Sequence, residues 1–575
     1  MKKLTDLYDV PKISSVQEMI LLSAETYGSK LAIEDLKPTP ISKVTYNELL
    51  TAVLKFGNAL KELGIEERAH ISVIGDNRVQ WAISYLTCMC FNYVVVPIDK
   101  NLTSNEIINI IYESDSVAVI FSDSFLEIMD GTHISLKNIK HYICMDPVAD
   151  EGFYEMKKLI DEAEIFPKEE LPEINAEEMA EIIFTSGSLG RAKGVMLSQK
   201  NLASNLVDMV SMLFMYPEDR FLSVLPIHHT YECTCGLLCP LYSGSSVHYA
   251  RSLKTIVDDL IRVKATMLLG VPLLYDKMFK RISAAIKEDR VKKVVVPALT
   301  KITNVLKRTG IDLKKKVFAE MHKKFGGSVR IFIAGGAAPD PEVARGLREF
   351  GFNFLQGYGL TETSPILALN RMNNFKDNAA GIPLPSVKLK IDNPDQDGTG
   401  EVLANAPNVM LGYYKNPELT AQTIVDGWFK TGDLGFIDKD GFLHIRGRAK
   451  SVIISKSGKN VFPEEIEDVL NKSQFILESL VYPEIDQKQD EVVAAQIVPD
   501  ADAFIALAEE TGEKISDELI IKIIAGEVEK ANKSLASYKR IIRHYIRKDE
   551  FVKTTTQKIK RYLTSNRTAQ ESKDE

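Results

Sequence analysis

The sequence is poor in cysteine, lacks long apolar runs and has no marked excess of one charge. Six cysteines in 575 residues are too few for the disulfide framework of a small secreted protein. No apolar run reaches the roughly 18 residues that a membrane-spanning helix needs, and residues 1–6 lack the apolar stretch of a secretory signal. We therefore expect a cytoplasmic protein, either soluble or bound peripherally at the inner membrane face.

Charge is distributed unevenly along the chain. The 71 basic and 79 acidic residues give a net charge of −8, which argues against a nucleic-acid partner. Residues 277–330 carry sixteen basic and four acidic side chains, a local excess of +12. Such a run is usually the solvated face of a helix, and the alternative is a surface for anionic lipid or a polyphosphate. On the second interpretation, residues 277–330 make peripheral contact with a membrane.

The first half of the chain alternates helix and strand patterns. Thr45 and Glu48 form a capping box, the S/T-x-x-E signature of a helix start, and an apolar stripe with helical spacing follows it. A second box at Thr103 and Glu106 lies between short β-branched runs that are typical of buried strands. Strand–helix–strand alternation predicts an α/β fold with parallel sheets and crossover helices.

The last quarter of the chain has a different character. Glycines and charged residues interrupt short strand patterns between 431 and 462, and Pro463 then opens a predicted helix. Two more strand patterns and a helix from about Asp517 complete a small α+β unit. We predict two domains, residues 1–448 and residues 449–575.

The strongest chemical signal is the segment T-S-G-S-L-G-R-A-K-G at 185–194, which follows an apolar strand pattern. Hydroxyls, glycines and a lysine in one loop suit a polyphosphate. Glycine allows close backbone approach, while N–H groups, hydroxyls and the cation bind phosphate oxygens. The segment has neither the Walker pattern G-x-x-x-x-G-K-[ST] nor the G-x-S-x-G of hydrolases. Taken alone, it fits a phosphate loop and a plain Ser/Gly turn equally well.

Four more segments follow in order: Q-G-Y-G-L-T-E-T-S-P at 356–365, T-G-D-L-G at 431–435, R-G-R-A-K at 446–450 and K-T-T-T-Q-K-I-K-R at 553–561. The first lies just beyond a predicted strand, where α/β proteins bind ligands. Within it, Tyr358 offers a stacking face and Glu362 a hard oxygen ligand for Mg²⁺. Asp433, in the second, is a candidate acceptor for ribose hydroxyls.

With these five segments in this order, the chain resembles the adenylate-forming superfamily of acyl-CoA synthetases, nonribosomal adenylation domains and firefly luciferase. The resemblance covers about residues 20–565. It implies the adenylate-forming fold: a large N-terminal domain of several subdomains with parallel sheets, followed by a small mobile α+β C-terminal domain. It also implies ATP and Mg²⁺, with coenzyme A as a substrate. The chain departs from the family pattern at Leu189, which replaces a hydroxyl residue, and at Ala192, which replaces proline.

The resemblance further implies a role for each matching residue. Thr185, Glu362 and Lys558 match the catalytic positions, and the first two also match the Mg²⁺ ligands. Lys450 matches the hinge about which the C-terminal domain turns. The nucleotide-binding positions are matched by Thr185, Ser186, Gly187, Ser188, Gly190, Lys193, Gly335, Gly336, Ala337, Gln356, Gly357, Tyr358, Gly359, Thr361, Asp433 and Arg448.

Lys558 has a sound chemical role in such a reaction. A carboxylate must approach an α-phosphate, and both groups are negative. A cation between them orients both and neutralises charge at the pentacovalent phosphorus, and Mg²⁺ assists it. Without the resemblance, a lysine in a basic tail would be interpreted as solvated surface.

The segment L-P-I-H-H-T-Y-E at 225–232 is similar to the acyl-pocket segment of long-chain acyl-CoA synthetases, with His229 as a wall or gate of that pocket. The resemblance thus implies a long-chain fatty acid–CoA ligase, which forms acyl-adenylate and then acyl-CoA while ATP is cleaved to AMP and pyrophosphate. The alternative is an acyl–acyl carrier protein synthetase or another acid–CoA ligase. A binding protein without catalysis is disfavoured, because Lys558, Glu362 and Asp433 are all present.

Overall fold

The computed structural model describes residues 7–132, 136–149, 152–185, 192–455, 459–486, 491–554 and 559–561. The chain divides into two compact units. The first contains Met1–Leu389 and Ala404–Phe429, and the second contains Lys390–Leu403 and Lys430–Glu575. The predicted domain boundary between 448 and 449 stays a prediction.

The α-helices of the described residues are, in chain order, α1 Val16–Tyr27, α2 Tyr46–Glu62, α3 Val79–Cys90, α4 Ser104–Glu113, α5 Leu126–Thr132, α6 Met156–Glu162, α7 Gln199–Met212, α8 Thr230–Glu232, α9 Cys239–Tyr242, α10 Ile256–Val263, α11 Pro272–Glu288, α12 Arg290–Arg308, α13 Lys314–Val317, α14 Ala319–Lys324, α15 Pro341–Glu349, α16 Pro417–Thr423, α17 Pro463–Leu470, α18 Ala501–Thr511 and α19 Asp517–Ser534. A π-helix, Cys233–Leu238, joins α8 to α9. Among the described residues, no helix has both the length and the apolar character that crossing a membrane requires.

The strands are β1 Leu31–Asp35, β2 Lys43–Thr45, β3 His70–Ile74, β4 Val94–Ile98, β5 Ala118–Phe121, β6 His141–Cys144, β7 Tyr154–Glu155, β8 Met179–Thr185, β9 Lys193–Ser198, β10 Arg220–Ser223, β11 Ser246–Tyr249, β12 Met267–Gly270, β13 Ile331–Ala334, β14 Asn353–Gly359, β15 Ile366–Leu369, β16 Ile382–Pro383, β17 Lys388–Asp392, β18 Gly400–Asn405, β19 Gly412–Tyr413, β20 Ile424–Val425, β21 Trp428–Ile437, β22 Leu443–Arg448, β23 Ile453–Ile454, β24 Asn460–Val461, β25 Ile476–Ile485, β26 Glu491–Pro499 and β27 Arg543–Ile546.

Two large sheets form the first unit. One has the order β16-β15-β14-β13-β12-β10-β11-β1-β2 and the other β19-β9-β8-β4-β3-β5-β6-β7. The interior pairs are parallel, for example β13 with β14 and β3 with β4, while β9 and β15 are antiparallel to their neighbours. The prediction of parallel sheets with crossover helices is therefore confirmed.

Helix α2 illustrates how the sequence builds these layers. The Thr45 hydroxyl accepts from the Glu48 backbone N–H, and the Glu48 carboxylate accepts from the Thr45 backbone N–H, as predicted. Leu49, Phe56 and Leu60 on the predicted stripe are fully buried. The second predicted box, at the start of α4, is also present. The capping residues fix where each helix starts, and the stripe fixes which face packs on the sheet.

The second unit is built mainly from short antiparallel pairs. Strands β21 and β22 pair with Asp433 opposite Arg448. Strands β25 and β26 are antiparallel, and β27 joins β26 in parallel. Helices α17 and α19 contribute Ile466, Ile524 and Val528 to the apolar core of this unit. This is the α+β character that the sequence predicts for the last quarter of the chain.

Candidate active site

Two segments that are predicted to bind the nucleotide lie at the same edge of the first sheet. Ala334 at the end of β13 pairs with Gln356 in the parallel strand β14, so residues 335–337 leave the sheet beside residues 357–359, which continue β14 and pair with β15. This is the carboxyl edge, where open α/β sheets bind ligands. The Gln356 amide donates to the carbonyl of Ala379. Its buried Oε1 accepts no hydrogen bond from the residues that the structure describes.

Glycine is required at two places along this edge because other atoms approach the backbone closely. A Cβ at Gly335 would lie 2.6 Å from the ring of Tyr231, and one at Gly359 would lie 1.8 Å from the carbonyl oxygen of Pro365. Tyr231 is fixed in turn by a 3.2 Å hydrogen bond from its hydroxyl to the carbonyl of Ile333. The edge is therefore shaped by packing as well as by strand pairing.

Glu362 lies in a 3₁₀ turn, Thr361–Thr363, directly after β14. Two buried asparagines hold the chain that leaves this turn. The amide of Asn205, on α7, donates to the carbonyl of Ile366 at 2.8 Å, and so does the amide of Asn408 at 2.8 Å. Since both partners come from distant parts of the chain, the position of the Glu362 carboxylate depends on the tertiary fold.

Tyr413 contacts two predicted site residues, one from each large sheet of the first unit. Its hydroxyl donates a 2.9 Å hydrogen bond to Glu362 Oε1, and the ammonium of Lys193 lies 5.1 Å from the centre of its ring. Lys193 is opposite Thr185 in the β8–β9 pair, and Tyr413 is opposite Val195 in the β9–β19 pair. The first unit thus places Lys193 and Glu362 against Tyr413, which is 5% exposed. Thr185 joins this cluster as the strand-pair partner of Lys193.

Sequence reasoning missed Tyr413. Neither tyrosine in the segment L-G-Y-Y-K carries a chemical signature. Its place follows from the antiparallel pairing of β19 with β9, two strands separated by more than two hundred residues in the chain. The neighbouring Tyr414 points to a different partner, since its hydroxyl donates to Asp115 at 2.6 Å.

A small apolar cavity of about 30 Å³ lies behind this edge of the sheet. It is lined by residues from α7 and the chain just after it, from the helical segment 230–242 and from strands β12 to β15: Met209, Leu213, Met215, Tyr231, Cys235, Cys239, Leu269, Ile333, Gly357, Ile366 and Leu369. His229 is the N-cap of α8, where its Nδ1 accepts from the backbone N–H of Tyr231 at 3.3 Å. Its role as a pocket wall or gate stays a prediction.

Two carboxyl groups of the first unit are fully buried. Burial raises the pKa of Glu232 to about 8, against a hydrogen bond from Ser223 that lowers it. Burial likewise raises the pKa of Glu181 to about 8, although Tyr85 donates to it at 3.2 Å. Both groups are therefore largely protonated at neutral pH. Glu232 immediately precedes the π-helix, and a Cβ on Gly236 in that helix would lie 2.6 Å from the Glu232 Oε1 atom.

The second unit brings two predicted nucleotide-binding residues, Asp433 and Arg448, together. Arg448 Nε lies 2.9 Å from Asp433 Oδ1, and Arg448 Nη1 donates to the carbonyl of Thr431 at 3.2 Å. Asp433 is buried and Arg448 is exposed. Lys450 lies in the 3₁₀ turn Ala449–Ser451 that follows β22 and is exposed; its role as a hinge stays a prediction.

Several predicted site residues lie outside the described residues: Ser186, Gly187, Ser188, Gly190 and Lys558. The strands that flank the first four are described and pair up to Thr185 and Lys193. Beyond Lys558, Ile559 forms a bridge with Lys553, and Arg561 donates to the carbonyl of Val481 at 3.0 Å. The chain is therefore anchored on both sides of the segment 555–558.

Two open sheets, a glycine-shaped carboxyl edge and the Thr185–Lys193–Glu362 cluster define a nucleotide-binding α/β protein. Residues 22–414 match the AMP-binding enzyme family, and the chain belongs to that family.

Similar proteins include ligases of two acceptor types. The chain is 26% identical over 558 residues to the long-chain-fatty-acid–CoA ligase FadD15 of Mycobacterium bovis, with 92% of this chain and 91% of that one covered. It is 26% identical over 580 residues to the chloroplastic long-chain-fatty-acid–[acyl-carrier-protein] ligase AEE15 of Arabidopsis thaliana, with 87% and 78% covered.

Among solved structures, ATP-bound MatB from Rhodopseudomonas palustris superposes with a TM-score of 0.77 at 24% identity and covers 96% of this chain and 99% of that one. The adenylate-forming fold predicted from the sequence is therefore confirmed.

Proposed function

We propose that this protein is an acid–thiol ligase that activates a long-chain fatty acid with ATP. The carboxylate attacks the α-phosphate to give acyl-adenylate and pyrophosphate, and the thiol of coenzyme A then displaces AMP. The observation that carries the proposal is the cluster of Thr185, Lys193 and Glu362 around Tyr413. It lies in the same unit as the nucleotide edge formed by residues 335–337 and 356–359.

The residues present fit a magnesium ion. Glu362 supplies one carboxylate and Thr185 one hydroxyl, and Mg²⁺ in nucleotide enzymes commonly uses one or two protein oxygens together with substrate phosphates. When bound, the ion would neutralise charge on the phosphate oxygens. Tyr413 holds the Glu362 carboxylate through its hydroxyl, and Lys193 supplies a second cation for the phosphates.

The apolar lining of this cavity supports a fatty acid as the substrate, and at about 30 Å³ the cavity must widen to admit the chain. Apart from the phenol of Tyr231 and the thiols of Cys235 and Cys239, its lining is aliphatic, methionine or glycine. Burial strongly raises the pKa of both thiols, so they are neutral and pack as small apolar groups. Because Gly357 and Ile366 border both the cavity and the nucleotide edge, an acyl chain in the cavity would place its carboxylate near that edge.

Coenzyme A is the proposed acceptor, and an acyl carrier protein is the second candidate. The names of the similar ligases cover both acceptors, so acceptor choice needs its own experiment. Pyrophosphate release is measured first with fatty acid and ATP alone, and thioester is then measured with each acceptor. Thioester with carrier protein alone would contradict the coenzyme A proposal.

The reaction is tested with a saturated fatty-acid series and the substitution Glu362→Gln. We expect the highest rate with long chains, and a loss of about a hundredfold in Glu362→Gln, because a charged ligand beside the phosphates is removed. Glu418→Gln, on the exposed face of α16 in the same unit, is the matched control. Equal activity of Glu362→Gln and wild type would contradict the assignment of the site.

We also propose a cytoplasmic protein that contacts the inner membrane face through residues 277–330. All six cysteines are free and buried, as suits a reducing compartment. The local charge of +12 suits anionic lipid. This electrostatic contact predicts vesicle binding that requires anionic lipid and weakens as salt rises; binding that is independent of lipid charge would contradict it.

A further inference from the structure

Helix α12 carries an apolar stripe that points away from the protein. The apolar residues at positions 291, 294, 295, 298, 302 and 305 follow helical spacing and therefore share one face. Val294 is 71% exposed, Val291 68% and Val305 60%. Val295 and Ile302 on the same face are also exposed. Single exposed valines are ordinary, but five large apolar residues along one helix form a continuous patch.

The opposite face of α12 is the one that packs against the protein. Val296 and Leu299 contact the apolar core of the adjoining sheet layer, and Thr303 is 1% exposed. The helix therefore already has a buried face that holds it in place. The exposed stripe is a second apolar face, which the described part of the chain leaves in contact with solvent.

The charges around the stripe have one sign. Within 290–308 there are six basic residues and no acidic one: Arg290, Lys292, Lys293, Lys301, Lys307 and Arg308. Acidic partners stand only at the two ends, where Lys292 pairs with Asp289 at 3.0 Å and Lys307 with Asp312 at 2.9 Å. The apolar stripe is thus bordered by cations along its length.

The positive charge around the stripe favours one of the two surfaces that could cover it. A second copy of the chain docked on the stripe would bring two sets of six cations together, which opposes association. An anionic bilayer offers apolar depth for the valines and phosphates for the lysines, the two features of helices that lie in a membrane interface. The stripe and its border therefore complement a lipid surface.

We propose that α12 is a membrane-docking helix that inserts the stripe of residues 291–305 into the interface of an anionic bilayer. This proposal rests on the membrane contact proposed above and adds apolar insertion to it. The electrostatic contact alone predicts binding that salt abolishes. Insertion predicts a fraction of binding that persists at high salt, because buried apolar surface is insensitive to screening.

Co-sedimentation of the full chain with vesicles of phosphatidylcholine and phosphatidylglycerol at 3:1 tests both the electrostatic contact and the apolar insertion. Val294→Ser/Ile302→Ser removes apolar surface without changing charge, and we expect about a tenfold weaker affinity and loss of the salt-resistant fraction. Ile505→Ser/Ile521→Ser is the matched control, since these exposed isoleucines lie on α18 and α19 in the second unit. Circular dichroism confirms that each variant is folded.

Insertion is also measured directly with a fluorescent reporter. The chain has two tryptophans, one of them the fully buried Trp81, so Val294→Trp adds an exposed reporter. We expect lipids brominated in the acyl chain to quench this reporter and to leave Ile505→Trp unquenched.

Three results would overturn the proposal in distinguishable ways. Vesicle binding that is lost entirely at high salt, with no quenching at position 294, removes insertion but leaves the electrostatic contact. The absence of binding to any vesicle removes both. A stable dimer without lipid that Val294→Ser/Ile302→Ser dissociates would assign the stripe to a second copy of the chain.

Discussion

The hydroxyl of Tyr413 donates a hydrogen bond of 2.9 Å to the carboxylate of Glu362. The two residues come from different parts of the chain and meet because β19 pairs with the edge of one sheet while the Glu362 turn follows the last parallel strand of the other. The bond orients the carboxylate that we propose as a ligand for Mg²⁺.

Substitution Tyr413→Phe tests this relationship. The ring beside Lys193 is kept and only the donor is lost, so we expect adenylate formation to fall about tenfold, the usual cost of a hydrogen bond to a charged group. The Mg²⁺ concentration needed for half-maximal rate should rise. Tyr414→Phe removes a comparable bond to Asp115, and pyrophosphate release should barely change. Equal losses in the two variants would indicate a structural role for Tyr413.

Lys558→Ala separates the two half-reactions. If Lys558 lies between carboxylate and α-phosphate, adenylate formation should fall by about 10²–10³-fold, while thioester formation from supplied acyl-adenylate continues. The matched control is Lys560→Ala, two residues along the same basic segment. A similar loss in both half-reactions would argue against domain alternation and point to damage of the C-terminal unit.

Met209→Ala should shift the preferred chain length. Met209 lines the apolar cavity, and its truncation frees the space of about three heavy atoms. The maximum of a saturated fatty-acid series, measured by pyrophosphate release, should therefore move to longer chains. Met212→Ala on the same helix removes a buried methionine that is not among the residues lining the cavity, and it should destabilise the protein without moving the maximum. A shift in both variants would place the acyl chain elsewhere.

The stability of the protein should depend on the ionisation of Glu232. Burial raises the pKa of Glu232 to about 8 in the folded state, whereas an unfolded glutamate ionises near 4.3. Between these values the folded state binds more protons than the unfolded state, so the free energy of unfolding falls as pH rises. Glu232→Gln should flatten this slope between pH 5.5 and 8, with a relative gain on the order of a few kcal/mol at the upper end.

The measurement is urea unfolding at several pH values. Glu48→Gln is the control, because hydrogen bonds at the start of α2 lower the pKa of Glu48, and its contribution therefore varies only below the ordinary glutamate range. An unchanged slope in Glu232→Gln would contradict a neutral Glu232 in the folded protein.

Local features of the fold could be predicted from the sequence. The capping boxes at Thr45 and Thr103 and the buried stripe of α2 depend on residues a few positions apart, and the structure has both. The Glu362 cluster could be predicted only in part. Thr185, Lys193 and Glu362 carry recognisable segments, whereas Tyr413 reaches them through strand pairing between distant residues.

The spacing of apolar residues also cannot predict what covers a helix face when two environments give the same pattern. The apolar spacing of α12 resembles that of a helix packed on a core, yet Val294 and Val305 face solvent and the narrower set of Val296 and Leu299 packs inward. A period of 3.6 residues cannot distinguish a face that the protein covers from one that another surface covers. It also gives no sign of the π-helix at Cys233–Leu238.

That π-helix has a consequence for comparisons among related chains. A π turn holds one residue more than an α turn over the same rise, so a relative with a regular helix here would be one residue shorter between Glu232 and Cys239. A one-residue alignment gap between Glu232 and Cys239 would then indicate a different helical register in the cavity wall that contains Cys235 and Cys239. Deleting a single residue from 233–238 should therefore restore a regular α turn and change which side chains of this segment face the cavity, so that helix register becomes a determinant of cavity shape.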